Sequence, residues 1–357
     1  MKKASVYVVN SLSNGGAERV VSVLSSKDNE NTFVFTFCDE ITYPVSDNVK
    51  IINLNKRKMG KIKKYLYLPV LLYKFNKEYK KIKRDYDIEL ATSHLIYSHL
   101  VCRLSKYRKE FIYVIHNPYY PFDPNKSKLF KMKIKFLYEN NKIVTVSKGV
   151  EKELKERYGI KTKTISTIYN PIDFEAINEK KIEPITEKNY MLFCGRFNEA
   201  KRPEFAIDLF YKEGLYKKYN LVMIGTGELE AKVKEMIKKY DIEDKVILKG
   251  FVSNPYAYMY NAKLMFNCSH FEAFPMTLIE ALASNCKVVS FDIDYGPKEL
   301  LIGKLSKFLV PFNDRKRMAE IIETAINQEF PNVTERLNEY KIDIIIDKYY
   351  MTYKNWR

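Results

Sequence analysis

The chain is 357 residues long, 46% hydrophobic and 29% charged, which excludes a disordered protein and is more than one hydrophobic core usually serves, so two domains are predicted. Five scattered cysteines (Cys38, Cys102, Cys194, Cys268, Cys286) and four unclustered histidines (His94, His99, His116, His270) argue against disulfides and a structural metal; the opening residues are too short for a signal peptide, and no apolar run approaches the ~18 residues of a membrane span. The net charge of +17 is uneven, with 33 Lys+Arg against 16 Asp+Glu in residues 1–172 and 28 of each in residues 173–357, so one half alone is suited to an anionic partner.

In chain order, residues 4–9 alternate as a strand, and SLSNGGAER leads into a predicted helix over 17–26. A strand, a Gly-Gly turn and a helix start let a backbone approach a phosphate, which makes Gly15 and Gly16 candidates, although an ordinary βα turn has the same form. Without GxGxxG it is not a dinucleotide fingerprint. Further strands are predicted over 32–38, 49–54, 88–91, 111–115, 143–146 and 164–168. Helical stretches between most of them predict a mainly parallel sheet covered on both faces. His116 ends the 111–115 strand, where open α/β sheets place their chemistry, and His94 is a weaker candidate of the same kind. Residues 56–84 hold twelve Lys/Arg and one acid, Glu78, interleaved with Tyr65, Leu66, Val70, Tyr73 and Phe75. That mixture predicts an interfacial helix more than a solvated face. A second basic helix is predicted over 126–135. Residues 169–189 have no clear period and read as a linker, with the domain boundary near Pro171.

The second half restarts with a strand over 190–194 and the turn GRFNEAKRPE. Gly195 turns the chain, and Arg196 and Lys201 precede a helix near Pro203; two cations at a helix start suit a diphosphate. Next come a strand over 221–224 with GTGELE (Gly225, Gly227), a helix over 229–240, a strand over 246–249 before Gly250 and Phe251, a helix over 254–261 and a strand over 264–268. The stretch CSHFEAFPMTLIEALASNCKVVSFDIDYGPKEL follows. In it Glu272 and Glu280 bracket a helix opening at Pro275 or Met276, whose amides at Met276, Thr277 and Leu278 are predicted to be free for an anion. A phosphate flanked by two carboxylates reads as a nucleotide-sugar site. A strand over 308–310, a helix over 314–327 and a last helix over 342–353 complete the chain.

The E-x7-E spacing after a strand, followed by E-A-L-A, resembles the C-terminal signature of retaining GT-B glycosyltransferases of the family 4 type (glycosyl transferases group 1), and the G-R…K turn, GTGELE and YNPID extend the resemblance over nearly the whole chain. It implies an α/β fold of two doubly wound Rossmann-like domains facing an interdomain cleft: 1–171 for the acceptor, 172–340 for the donor, and 341–357 as a helix crossing back to the first. It further implies sugar transfer, with retention, from a UDP- or GDP-linked donor to a hydroxyl of a glycan, lipid-linked, in surface-polysaccharide or lipid-linked glycan assembly. Arg196 and Lys201 would take the diphosphate with Gly195 and the helix start of Phe274, Pro275, Met276, Thr277 and Leu278. Glu272 and His116 would take the donor sugar, Glu280 the ribose, Gly225, Gly227 and Phe251 the base, and Gly15 and Gly16 the diphosphate from the other domain. No cofactor or metal is implied. One departure is Ala273, where the family commonly has Gly. The basic half implies attachment to an anionic membrane, peripheral at the cytoplasmic inner face of the cell membrane, with no specific nucleic acid. The alternatives are a nucleotide-sugar epimerase of the same fold and a nucleic-acid-binding protein using the basic half.

Overall fold

The computed structural model describes residues 1–13, 15–55, 60–119 and 127–356. The chain divides into two compact units, Met1–Pro171 with Glu339–Arg357, and Ile172–Asn338.

The first unit contains β1 (Lys2–Val8), α1 (Gly16–Lys27), β2 (Thr32–Thr36), β3 (Val49–Asn53), α2 (Lys61–Leu66), α3 (Leu68–Asp85), β4 (Tyr86–His94), α4 (Ile96–Leu104), β5 (Ile112–Ile115), α5 (Lys128–Tyr138), β6 (Lys142–Thr145), α6 (Lys148–Glu156) and β7 (Ile165–Thr167). Its strands pair in parallel in the order β3-β2-β1-β4-β5-β6-β7. The order reverses between β1 and β4, and in such sheets ligands gather at the carboxyl ends beside that switch. Helix α3 shows why the sequence folds this way. Leu71, Phe75, Tyr79 and Ile82 recur at helical spacing and are buried, with Phe75 edge-on to Phe35 of β2 at 5.1 Å.

The second unit contains α7 (Phe174–Lys180), β8 (Tyr190–Cys194), α8 (Pro203–Lys212), β9 (Asn220–Ile224), α9 (Glu230–Lys239), β10 (Val246–Gly250), α10 (Pro255–Asn261), β11 (Leu264–Asn267), α11 (Met276–Ala283), β12 (Val288–Asp292), α12 (Pro297–Leu300), β13 (Leu309–Pro311), α13 (Arg315–Asn327) and α14 (Thr334–Leu337). The sheet is parallel in the order β10-β9-β8-β11-β12-β13, reversing between β8 and β11. The stretch 169–189, read from the sequence as a linker without regular structure, contains α7. Its period is too short to recognise, but Asp173 caps it by accepting from the Ala176 amide at 3.0 Å.

The last helix, α15 (Ile342–Trp356), returns to the first unit and packs on α1 and β4. Tyr350 is its anchor. The phenol donates to Asp28 at 2.6 Å, accepts from Asn29 at 2.8 Å and lies 2.6 Å from Ser5 Oγ. Tyr7 donates to the other Asp28 oxygen at 2.6 Å, so one carboxylate ties β1, α1 and the C-terminal helix together.

Candidate active site

The segments leaving β8 and β11, on either side of the switch in the second sheet, are joined by side chains. Lys201 Nζ pairs with Glu272 Oε1, and Ser269 Oγ donates to the same oxygen at 2.8 Å. Backbone bonds fix the two loops. The His270 amide donates to the Ala200 carbonyl at 2.8 Å, the Ser269 amide to Asn267 Oδ1 at 2.8 Å, and the Lys201 amide to Asn198 Oδ1 at 3.0 Å. The Glu272 side chain retains only 9% exposure and that of Lys201 25%. A carboxylate this buried needs its cation, because an unpaired charge there would be costly. The sequence assigned Lys201 to a phosphate and Glu272 to a sugar; the structure brings the two onto each other.

Arg202, which the sequence analysis passed over, sits directly behind Lys201. Its backbone is left-handed at φ 56°, unusual for a residue with a Cβ. Its guanidinium lies over Phe205 at 4.5 Å, Phe312 at 5.2 Å and Phe291 at 5.8 Å, a cation–π enclosure that holds the start of α8.

The glycines of this region answer to packing. A Cβ on Gly225, whose φ is +139°, would lie 1.9 Å from the Gly195 carbonyl oxygen, and one on Gly227 would lie 2.3 Å from that of Phe197. The turns after β8 and β9 therefore touch backbone to backbone, laced by the Phe197 amide donating to Thr226 at 2.9 Å. Gly296, also unforeseen, has φ +65° and would bring a Cβ to 2.5 Å from Pro275 Cδ. Arg196 is exposed at the first of these turns, and Phe251 is 75% exposed beyond β10.

The start of α11 differs from the expectation of three free amides. Pro275 is the cap, Met276 donates to the Phe274 carbonyl at 3.0 Å and Leu278 to that of Pro275 at 3.0 Å. The sharp turn through Phe274 and Pro275 spends two of the three amides on itself. Thr277 is half-buried at the helix start, Phe274 is buried, and Glu280 is buried one turn on. Ala273 carries no positive φ, so the alanine in place of the family's usual glycine sits in ordinary backbone.

In the first unit Gly15 caps α1 in extended backbone, and the position of a Cβ there lies 2.1 Å from a Glu18 carboxylate oxygen. Nothing crowds a Cβ at Gly16. His116 follows β5 and is buried, as is His94 at the end of β4. His94 Nδ1 lies 2.8 Å from His116 Nε2, and His94 Nε2 lies 2.9 Å from Thr92 Oγ1. Nearby His99 is 2.7 Å from the Tyr138 hydroxyl and 2.9 Å from the Ser93 carbonyl. Burial pushes His99 and His116 down to about 3, and His94 well below the usual histidine range. Among the described residues no group of His, Cys, Asp and Glu is arranged to hold a metal ion, and no helix is long and apolar enough to cross a membrane.

Two family profiles match the chain: "Glycosyltransferase Family 4" over residues 14–176 and "Glycosyl transferases group 1" over residues 175–343. The chain is 29% identical over 342 residues to a Campylobacter jejuni N-acetylgalactosamine-N,N'-diacetylbacillosaminyl-diphospho-undecaprenol 4-alpha-N-acetylgalactosaminyltransferase, covering 92% of this chain and 91% of that one. Among solved structures it is similar to Anabaena HepE in complex with UDP and glucose, with a TM-score of 0.77 at 16% identity over 98% of this chain and 99% of that one. It is also similar to the apo form of the lipopolysaccharide outer core galactosyltransferase WaaB, with a TM-score of 0.70 at 20% identity over 99% and 98%. With two parallel doubly wound sheets, a signature region assembled at a sheet switch point, and two profiles that together run from residue 14 to residue 343, the chain belongs to the GT-B glycosyltransferases of the family 4 type.

Proposed function

We propose that this hexosyltransferase moves a sugar from a UDP- or GDP-linked donor, held by the Ile172–Asn338 unit, to a hydroxyl of a lipid-linked glycan taken by the basic first unit. The observation that carries this reading is the Lys201–Glu272 pair with Ser269, seated where β8 and β11 diverge. In the reaction the bond from the anomeric carbon to the diphosphate oxygen breaks, a bond to the acceptor oxygen forms on the same face, and the acceptor proton is lost. The diphosphate leaves carrying growing negative charge. Arg196 and Lys201 are assigned to that charge, in a role whose removal in other enzymes costs on the order of 10²–10³ in rate. Glu272 and His116 are assigned to the donor sugar, Glu280 to the ribose, and Gly225, Gly227 and Phe251 to the surroundings of the base. The protein's own cations thus supply the positive charge that the leaving group requires.

The undecaprenol-linked substrate in the name of the Campylobacter relative supports a lipid-linked acceptor. The charge excess of residues 1–172 supports attachment of the first unit to the anionic cytoplasmic face of the cell membrane. The relatives lend no support to the epimerase or nucleic-acid alternatives.

A panel of nucleoside diphosphate sugars, read by mass spectrometry for slow donor hydrolysis and for transfer to lipid-linked acceptors, tests the reading. One UDP- or GDP-sugar should be consumed, and Arg196→Ala and Lys201→Ala should each slow its consumption about a hundredfold or more; the unfolding midpoint should stay in place in Arg196→Ala and fall in Lys201→Ala, which leaves the buried Glu272 carboxylate without its cation. Unchanged rates in both variants would remove the diphosphate assignment.

A further inference from the structure

Thr92, His94 and His116 form one hydrogen-bonded row at the carboxyl ends of β4 and β5. All three residues are buried, and Tyr7 stacks against His94 with ring centroids 6.1 Å apart. The row ends at His116 Nδ1, a buried nitrogen without a hydrogen-bond partner among the described residues. Its geometry restricts where protons can be. In a contact between two imidazole nitrogens one must accept, so the two rings are never both imidazolium. Burial, which disfavours the charged ring, makes both neutral near pH 7. Each ring then carries a single N–H.

Two arrangements remain. In the first, His116 Nε2–H donates to His94 Nδ1, and His94 Nε2–H donates to Thr92 Oγ1. The Thr92 hydroxyl proton then has no acceptor among the described residues, since His94 is its sole side-chain partner there, and His116 Nδ1 is left as a bare acceptor. In the second, Thr92 O–H donates to His94 Nε2 and His94 Nδ1–H donates to His116 Nε2. Every proton in the row has an acceptor except the last, on His116 Nδ1. A buried polar group left unpaired is destabilising; the first arrangement leaves two and the second leaves one.

We propose that Thr92 and His94 are positioning residues that hold His116 as the Nδ1–H tautomer, a neutral donor offered to an oxygen of the substrate sugar. The inference rests on the assignment of His116 to the donor sugar made above. No proton changes hands. The imidazole contributes a hydrogen bond of fixed polarity, and the threonine hydroxyl at the far end of the row sets that polarity. A substrate oxygen with a lone pair is matched by it, and a donor group at the same place is not.

Histidine-selective ¹⁵N NMR of the full-length protein, with His116 assigned by loss of its signals in His116→Gln, reads the tautomer without reference to activity. Nδ1 should be the protonated nitrogen of His116. Thr92→Val keeps the shape and removes the hydroxyl, so each arrangement then leaves two groups unpaired; the proton should be shared between Nδ1 and Nε2 of His116, and kcat should fall about twofold with the population of the donor tautomer, with the donor KM little changed. His94→Asn, whose amide nitrogen still donates from the Nδ1 position, should recover most of what His94→Ala loses. An Nε2-protonated His116 in the unaltered protein would overturn the inference and leave the place of His116 untouched. Transfer by His116→Ala at the unaltered rate would instead overturn that place.

Discussion

Gly225 is the most constrained position near the candidate site, because its φ of +139° and the Gly195 carbonyl together leave no room for a side chain. Gly225→Ala should therefore lower the unfolding midpoint and weaken nucleoside diphosphate binding together, whereas Gly16→Ala, with open space around it, should leave the unfolding midpoint unchanged within the error of a denaturant titration. Equal behaviour of the two variants would show that the backbone contact between the β8 and β9 turns has no role. At this scale the sequence showed placement better than contact. The positions of Arg196, Lys201, Glu272 and Glu280 in the turns and helix start that follow β8 and β11 were legible because such boundaries are marked by local spacing. Ser269, Arg202, Gly296 and Thr92 were not. Ser269 matters through Glu272, whose other partner, Lys201, is dozens of residues away, Arg202 through rings on three separate segments, and Gly296 through Pro275. Such partners meet only after the sheet has formed.

The elements themselves were largely readable. Strands of β-branched and aromatic residues alternate with helical periods, and the strand-end positions of His116 and Gly195 and the loop position of Glu272 followed from that pattern. What local pattern could not convey was the economy of the α11 start, where a Phe-Pro turn consumes amides that a simple helix N-terminus would leave free. Helix α5 adds something the lysine count alone did not show. It buries Ile134, Leu137 and Tyr138 and turns outward Leu129 (77% exposed), Met132 and Phe136, while Leu66 (76% exposed), Val70 and Tyr73 are exposed on α2 and α3. Residues 56–59 and 126 of the basic stretches lie outside the described residues. Lysines near an anionic bilayer contribute about 1 kcal/mol each and lose it as salt rises, whereas buried apolar side chains do not. Co-sedimentation with vesicles containing phosphatidylglycerol should therefore show binding that is only partly reversed by salt. Leu129→Glu combined with Met132→Glu should abolish the salt-resistant fraction, while Lys63→Glu, Lys64→Glu and Lys77→Glu should abolish the salt-sensitive one. Pelleting that is identical for all three proteins, or as strong with neutral vesicles, would refute attachment through this surface.

For the molecule as a whole, the buried histidines of the first unit make stability depend on pH in a definite sense. His99 and His116 titrate at about 3 in the folded protein and His94 well below its usual range, whereas an unfolded histidine titrates near 6.5. Below pH ~6.5 the unfolded chain binds protons that the folded chain refuses, so stability is complete above that pH and falls as the pH is lowered toward 3. Each histidine contributes a slope of up to about 1.4 kcal/mol per pH unit. Urea midpoints should fall between pH 7.5 and pH 5, above the range where most carboxylates titrate. A constant midpoint over that interval would mean that the three rings are accessible to protons in the folded state.

The return of α15 to the first unit bears on the order in which the protein can be finished. Domains made early on the ribosome generally fold early. Here the first unit is translated before the second, yet Ser5, Asp28 and Asn29 wait for the Tyr350 hydroxyl, which arrives only after the whole of Ile172–Asn338 has been made. The second unit is one uninterrupted stretch, Ile172–Asn338, and has all of its residues before α15 has been made. The half that emerges first is thus completed last, and a chain released before Tyr350 carries a whole second unit beside a first unit still missing its closing helix.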